Sequence, residues 1–258
     1  MIKEGLIFTC VLAFVITMGY VIADEGDKAM VERIKLQLKS PGRDQYDALK
    51  DPGRKPVEMA QFYDLQEGMT VLDMTTGGGY NTEVFSAAVG VSGIVYAHNY
   101  HYVLQLIDGA HHKTMLNRLQ NERLPNVRYM VVDAEDMPFE NSIDMAYWGF
   151  NMHDIYNSEK PGDGEPGVQT FLQAIYRALK PGGTLGVSDH VGEAAYDNAN
   201  LHRIEPRIIK QLVEKAGFTI EATSDLLANP SDDHSQSIYT DGLRYNTDRI
   251  LIKASKPK

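Results

Sequence analysis

Apolar residues recur along this chain in two alternating rhythms. Met69-Thr70-Val71-Leu72-Asp73-Met74 is a short apolar run that reads as a buried strand over Thr70 to Met74. Thr75-Thr76-Gly77-Gly78-Gly79 interrupts it, and helical spacing takes over from about Asn81 to Val89, with Val84, Phe85, Ala88 and Val89 on one face. A second strand over Gly93 to His98 ends at Asn99. Val103, Leu104, Ile107, Met115, Leu116 and Leu119 then predict one long helix. Strands follow at Val127 to Val132 and Ser142 to Trp148. A helix over Val168 to Leu179 turns through Lys180-Pro181-Gly182-Gly183 into a fifth strand, Thr184 to Ser188, which closes on Asp189-His190. A helix over Glu205 to Ala216 stops at Gly217, Phe218 to Ser224 is a strand, and a loop over Asp225 to Asn246 leads to a last strand, Asp248 to Ala254. Strands alternating with helices at this spacing predict an α/β fold, a mostly parallel sheet with helices on both faces.

The segment before the first strand differs in kind. Leu6 to Met18 is almost wholly apolar, Lys3 precedes it, and Val21-Ile22-Ala23 sets compact residues before Asp24. That is the shape of a secretory signal peptide over 1–23, with cleavage expected after Ala23 and a periplasmic or secreted product that keeps no stable membrane insertion. The only cysteine, Cys10, lies inside this leader. A lead-in over 24–56 combines a short helix, Asp27 to Leu38, with a basic, turn-rich stretch holding Pro41-Gly42, Arg43, Pro52-Gly53, Arg54 and Lys55. Val57 to Tyr63 looks helical and opens a single domain over 57–258. A net charge of −10 argues against nucleic acid or an anionic membrane as partner and leaves a small molecule as the expected substrate.

The strand, glycine turn and helix at Thr70 to Val89 bring a backbone close to whatever sits at a helix N-terminus. Three glycines allow positive φ there and leave no Cβ in the way. Val71-Leu72-Asp73 through Gly77-Gly78-Gly79, with Asp133-Ala134-Glu135-Asp136-Met137-Pro138-Phe139 and Leu179-Lys180-Pro181-Gly182-Gly183, resemble the class I S-adenosylmethionine-dependent methyltransferases. The likeness runs from about Val57 to the last strand. More narrowly, the leader, Asn151 to Asp154, Asp189-His190, His202-Arg203-Ile204-Glu205 and Asn229 to His234 look like a group of exported predicted methyltransferases.

The resemblance implies a Rossmann-like, seven-stranded, mostly parallel sheet with an antiparallel last strand, and S-adenosyl-L-methionine as cofactor. It implies Asp73 near the methionine amino group, with Gly77 and Gly79 passing against the ligand. Asn99 falls at the ribose position, Asp133 at the adenine amino group, and Ala134 offers a backbone donor there. Two positions depart from the pattern. Thr75 stands where the first glycine belongs, and Asn99 replaces an acidic residue, so its amide accepts one bond and donates another without a charge.

Methyl transfer from a sulfonium is an in-line displacement in which positioning carries much of the rate, and a protic acceptor also needs a base. His153 and Asp154 after strand four, and Asp189 and His190 after strand five, should meet on one rim; His153, Asp154 and His190 are the expected catalytic residues, with Asn151 and Tyr156 to orient a substrate. His202 either caps the helix at Pro206 or lines the pocket entrance. Asp232, Asp233 and His234 read as a solvated loop, and His111-His112 as surface. Tyr96, Tyr100, Tyr102 and Trp148 read as core and pocket wall. The rim contains metal-ligand types, but no close ligand spacing occurs along the chain and the family pattern demands none, so no metal is expected. Two rival readings remain: a periplasmic binding or accessory protein with a degenerate nucleoside site, and a different enzyme built on the His153/Asp154/His190 rim.

Overall fold

A computed structural model describes residues 25–160 and 162–258; the leader over 1–23 lies outside the described residues. Helix α1 covers 25–38, followed by α2 (Asp51–Arg54) and α3 (Pro56–Phe62). The α/β part comprises β1 (Thr70–Met74), α4 (Tyr80–Val89), β2 (Ile94–Asn99), α5 (Ala110–Leu119), β3 (Val127–Val131), β4 (Ile143–Gly149), α6 (Met152–Tyr156), α7 (Gly164–Ala178), β5 (Leu179–His190), α8 (Asn198–Leu201), α9 (Pro206–Lys215), β6 (Thr219–Ser224) and β7 (Arg249–Ser255). The seven strands form one sheet in the order β3-β2-β1-β4-β5-β7-β6. Six run in the same direction, and β7 is antiparallel to both its neighbours, β5 and β6. The order reverses direction between β1 and β4, and in such sheets the ligand crevice opens beyond the carboxyl ends of the strands at that point.

Each face of the sheet carries its own core. Trp148, Phe171, Leu172 and Ile175 centre one, with Trp148 stacked on Phe171 at 5.2 Å. Tyr63, Phe85, Tyr147 and Met115 centre the other, and Met30 and Ile34 of α1 pack into it. The lead-in is therefore tied into the domain's core. Arg43 pairs with both oxygens of Asp51 at 2.6 Å, and Tyr80 donates to the same carboxylate at 2.7 Å. Among the described residues, no helix is long and apolar enough to cross a membrane.

Three expectations about elements need correction. The long helix over Val103 to Leu119 is broken: Ile107 (φ 52°), Asp108 (φ 53°) and Gly109 (φ 75°) are left-handed, so only the part from Ala110 is α-helical. Helical spacing persists through the break, yet Ile107 and Leu116 remain 72% and 47% exposed, so no buried face holds a continuous helix together there. The Lys180-Pro181-Gly182-Gly183 turn is a bulge inside a longer β5. The register jumps from Ile143↔Leu179 to Met145↔Thr184, with Gly182 at φ 79°. Helix α7 starts at Gly164, ahead of the expected Val168, because Pro166 falls within its first turn, where a missing N–H costs nothing.

Candidate active site

The register of the sheet sets the carboxyl ends of β1, β4 and β5 side by side: Met74 lies opposite Trp148, and Gly149 opposite Ser188. A cavity of about 940 Å³ opens beyond them. The glycine turn forms one wall, through Asp73, Thr75, Gly77 and Gly78. Tyr100, Tyr102, Phe150, Tyr239 and Tyr245 supply an aromatic wall, and Asp154, His190 and His202 a polar rim.

The turn is held from below. Asp73 is buried, and one of its oxygens accepts from the hydroxyls of Thr76 (2.7 Å) and Thr82 (2.5 Å). Burial pushes its carboxyl up to about 6, against the hydroxyl bonds and the charge of Arg54, which pull it down. Gly77 (φ 58°) and Gly79 (φ 85°) use the freedom expected of them, while a Cβ on Gly79 would stand 2.5 Å from Met115 Sδ. Gly79 is thus required by packing against α5, and only Gly77 and Gly78 line the cavity. Thr75, at the departing position, takes φ 56°, a strained conformation for a β-branched residue. His98 helps hold it there: the Thr75 N–H donates to His98 Nδ1 (3.3 Å), and His98 Nε2–H donates to the Val132 carbonyl (2.7 Å). That pattern defines a neutral ring. Burial holds it down at about 4, against the Val132 bond and the Asp133 charge.

The adenosine-side expectations are corrected. Asn99 is buried and satisfied within the turn: Gly77 N–H donates to its Oδ1 (2.9 Å), and its Nδ2 donates to the Gly77 carbonyl (3.0 Å) and the Tyr129 hydroxyl (3.2 Å). It pins the glycine turn and is not among the residues that line the cavity. Asp133 accepts from the His101 N–H (3.1 Å) and pairs with His101 Nδ1 (3.0 Å), and Ala134 is buried; neither lines the cavity.

On the rim, α6 carries His153 and Asp154 to the end of β5. His153 is 1% exposed and clamped by Asp189, which accepts from His153 Nδ1 at 2.6 Å and from its N–H at 3.0 Å. Burial pushes this imidazole down, but Asp189 and Asp154 outweigh it and hold it up at about 10. His153 is therefore an imidazolium at neutral pH, which corrects its expected role as a base. His190 is the opposite case. Burial and the charges of His153, Arg249, Arg203 and Arg54 push it well below its usual value, so it is a free base at neutral pH. Its Nδ1 shares a 2.6 Å hydrogen bond with the Thr247 hydroxyl, and its other nitrogen has no protein partner among the described residues. His202 pairs with Asp154 at 2.7 Å and lines the cavity, which settles its two expected roles in favour of the entrance. Asn151 faces the cavity with a buried Oδ1 that has no partner; Tyr156 packs against the core instead.

Several contributors escaped sequence reasoning. His111, expected on the surface, lines the cavity and approaches Gly77. Arg54 lies between the rings of Tyr80 (4.5 Å) and Phe150 (4.8 Å) and has no carboxylate partner among the described residues. The only sign of it in the sequence was the basic run of the lead-in. Asp232, expected in solvent, is fully buried and holds Arg203 through two bonds of 2.9 and 3.0 Å, anchoring the long loop before β7. His234 in the same loop bridges Glu193 (3.0 Å) and Asp248 (2.9 Å).

Orphaned polar atoms in the wall suit a polar guest such as this cofactor. Of the buried side-chain atoms left without a partner, Thr75 Oγ1 and Asn151 Oδ1 belong to residues lining it, so the walls present unsatisfied hydrogen-bonding groups to a polar guest. Residues 72–187 match the family model described as "Methyltransferase domain". In its sheet order, in the cavity at the strand ends and by this match, the chain is similar to the class I S-adenosylmethionine-dependent methyltransferases. Within that class, a similar protein is the ubiquinone/menaquinone biosynthesis C-methyltransferase UbiE of Escherichia fergusonii, 30% identical over 198 residues, covering 74% of this chain and 65% of the relative. The chain spans about 65% of the length of the curated relatives it matches. A solved S-adenosylmethionine-dependent methyltransferase from Aquifex aeolicus superposes with a TM-score of 0.57 at 20% identity, covering 81% of this chain and 95% of that one. Phosphoethanolamine N-methyltransferase 2 of Haemonchus contortus, solved with S-adenosyl-L-methionine, gives 0.54 at 19% identity, covering 79% of this chain and 52% of that one.

Proposed function

We propose that the protein is an exported enzyme that transfers a methyl group from S-adenosylmethionine to a small aromatic acceptor. The observation that carries this reading is the cavity at the strand ends. The glycine turn bounds one side, and a free-base imidazole, His190, stands across from it. Thr75, Gly77, Gly78, Asn151 and the Asp73 turn would hold the methionine half of the cofactor, with Arg54 facing its carboxylate. When bound, that cofactor supplies an electrophilic methyl on a sulfonium, to which aromatic rings are attracted.

The chain's own residues do the rest. Tyr100, Tyr102, Phe150, Tyr239 and Tyr245 line the acceptor side with ring surface suited to a flat guest. His190 can take the acceptor's proton, and Asp154 with His202 can orient a hydroxyl. The UbiE relatives are named as quinone-biosynthesis C-methyltransferases, in keeping with an aromatic acceptor. Export rests on the apolar run Leu6 to Met18 and the compact residues before Asp24.

Calorimetric titration with S-adenosylmethionine and S-adenosylhomocysteine tests the reading. Binding is expected, with Arg54→Ala weakening it about tenfold or more through loss of a charge-assisted contact. His190→Ala should spare binding and lower turnover. Absence of binding for both ligands at about millimolar concentration would sink the proposal. N-terminal sequencing of protein recovered from outside the cytoplasm should begin at Asp24.

A further inference from the structure

The fold assembles a cluster that no spacing along the chain announced. His153 Nε2 lies 3.3 Å from Asp154 Oδ1, and His202 Nδ1 lies 2.7 Å from the same oxygen. The three ligand atoms fall within 4.8 Å of one another. His202 reaches them across 48 residues because it takes the left-handed conformation (φ 57°) that closes α8. Its ring meets that of His153 edge to face at 5.9 Å and that of Tyr239 at 4.9 Å.

We propose that His153, Asp154 and His202 form a divalent transition-metal site on the rim of the cavity. The decisive feature lies behind the ligands. Asp189 is fully buried and accepts from His153 Nδ1 (2.6 Å) and from the His153 N–H (3.0 Å), so it fixes both the ring and its tautomer. With Nδ1 committed to donating, Nε2 is the nitrogen turned toward Asp154 and His202. A carboxylate behind a ligating imidazole is the arrangement that orients metal-binding histidines and raises their basicity.

The donor set is two imidazoles and one carboxylate. That set suits zinc, cobalt, nickel, iron(II) and manganese, whereas calcium and magnesium prefer oxygen ligands throughout. Asp154 is 43% and His202 35% exposed at the side chain, and both line the cavity, so the remaining coordination positions face the acceptor space. Imidazole ligates a metal through a deprotonated nitrogen, so uptake of the ion should weaken as the pH falls. An ion there would present a Lewis acid to an oxygen of the acceptor. The site stands on its own donors and does not depend on the identity of the methylated compound.

The test is titration of the purified chain with Co²⁺, followed by visible absorption and calorimetry, with Zn²⁺ as competitor. One Co²⁺ per chain is expected, with ligand-field bands that Zn²⁺ abolishes. His202→Ala, at a partly exposed position, should remove the bands while leaving the circular-dichroism spectrum unchanged. Asp189→Asn should weaken Co²⁺ about 10- to 100-fold, as removal of an outer-shell partner does. His112→Ala, which removes a ring bonded to the Tyr129 hydroxyl and outside the cavity lining, should leave Co²⁺ uptake unchanged. Equal Co²⁺ spectra in the parent chain and in His202→Ala would overturn the proposal, as would no uptake at about millimolar Co²⁺. Neither result touches the cofactor titration above, so the two readings fail separately.

Discussion

Thr75 and His98 show how single residues shape the glycine turn. A β-branched residue at φ 56° carries backbone strain of order 1–3 kcal/mol, and Thr75 Oγ1 also finds no partner. Thr75→Gly should raise stability by about 1 kcal/mol in urea denaturation, after the entropic cost of glycine is deducted. His98 titrates at about 4 in the folded chain, against an ordinary 6.5, because it is buried. A folded pKa below the unfolded one means that the unfolded chain takes up the proton first as the pH falls. The stability tied to neutral His98 is intact above 6.5 and is lost between 6.5 and about 4, up to about 3 kcal/mol. His98→Gln should flatten that part of the acid limb when urea midpoints at about pH 7 and about pH 4.5 are compared with the parent. Asp73, raised to about 6, gains stability as pH falls, so the difference between the two proteins isolates His98.

At the scale of elements, buried ion pairs tie distant segments to the site. Arg118 of α5 is buried, and it donates from Nε to the Gly78 carbonyl (2.9 Å), from one terminal nitrogen to Asp47 (2.7 Å) and from the other to Glu83 of α4. One side chain therefore joins the lead-in, the glycine turn and two helices. Arg118→Met should cost about 3–5 kcal/mol, because Asp47 and Glu83 stay buried with one counter-charge fewer. The exposed pair Lys215–Glu165 offers the contrast: Lys215→Met should cost at most about 1 kcal/mol in the same measurement. The helix break at Ile107 to Gly109 matters for the same reason. It frees Tyr102, Val103, Leu106 and Ile107 to line the cavity, where a continuous helix would have carried Ile107 away from the strand ends.

Across the whole molecule, charge is distributed against its average. The chain is acidic overall, with a net charge of −10, yet Lys50, Arg54, Arg244 and Arg249 gather on the cavity wall. Arg249 is buried and donates to the carbonyls of Thr247 (3.0 Å) and Tyr245 (3.3 Å), and burial together with Arg54 pulls it down to about 10. Such a wall favours an anionic group on the guest, while the outer surface repels polyanions. Binding of S-adenosylhomocysteine at about a hundred times its Kd should stabilise the chain by about 2.7 kcal/mol, visible as a shift in Tm.

The sheet, its strand positions and the glycine turn were legible in the sequence because each rests on local pattern. Period-two and period-3.6 apolar spacing marks elements, glycines mark the turn, and β1 was read to the residue. The rim histidines were legible as well, since they follow strand ends. Their states were not. His153 and His190 look alike in sequence, yet one is an imidazolium between two carboxylates and the other a free base beside four cations. Asn99 and Asp133 occupy the expected positions but turn to Gly77 and His101, because side-chain partners are chosen by distances that only the packed chain sets. Burial and proximity are properties of the fold. They decided which of the polar residues became struts, which became the wall of the cavity, and how two residues of α6 came to meet the one that closes α8.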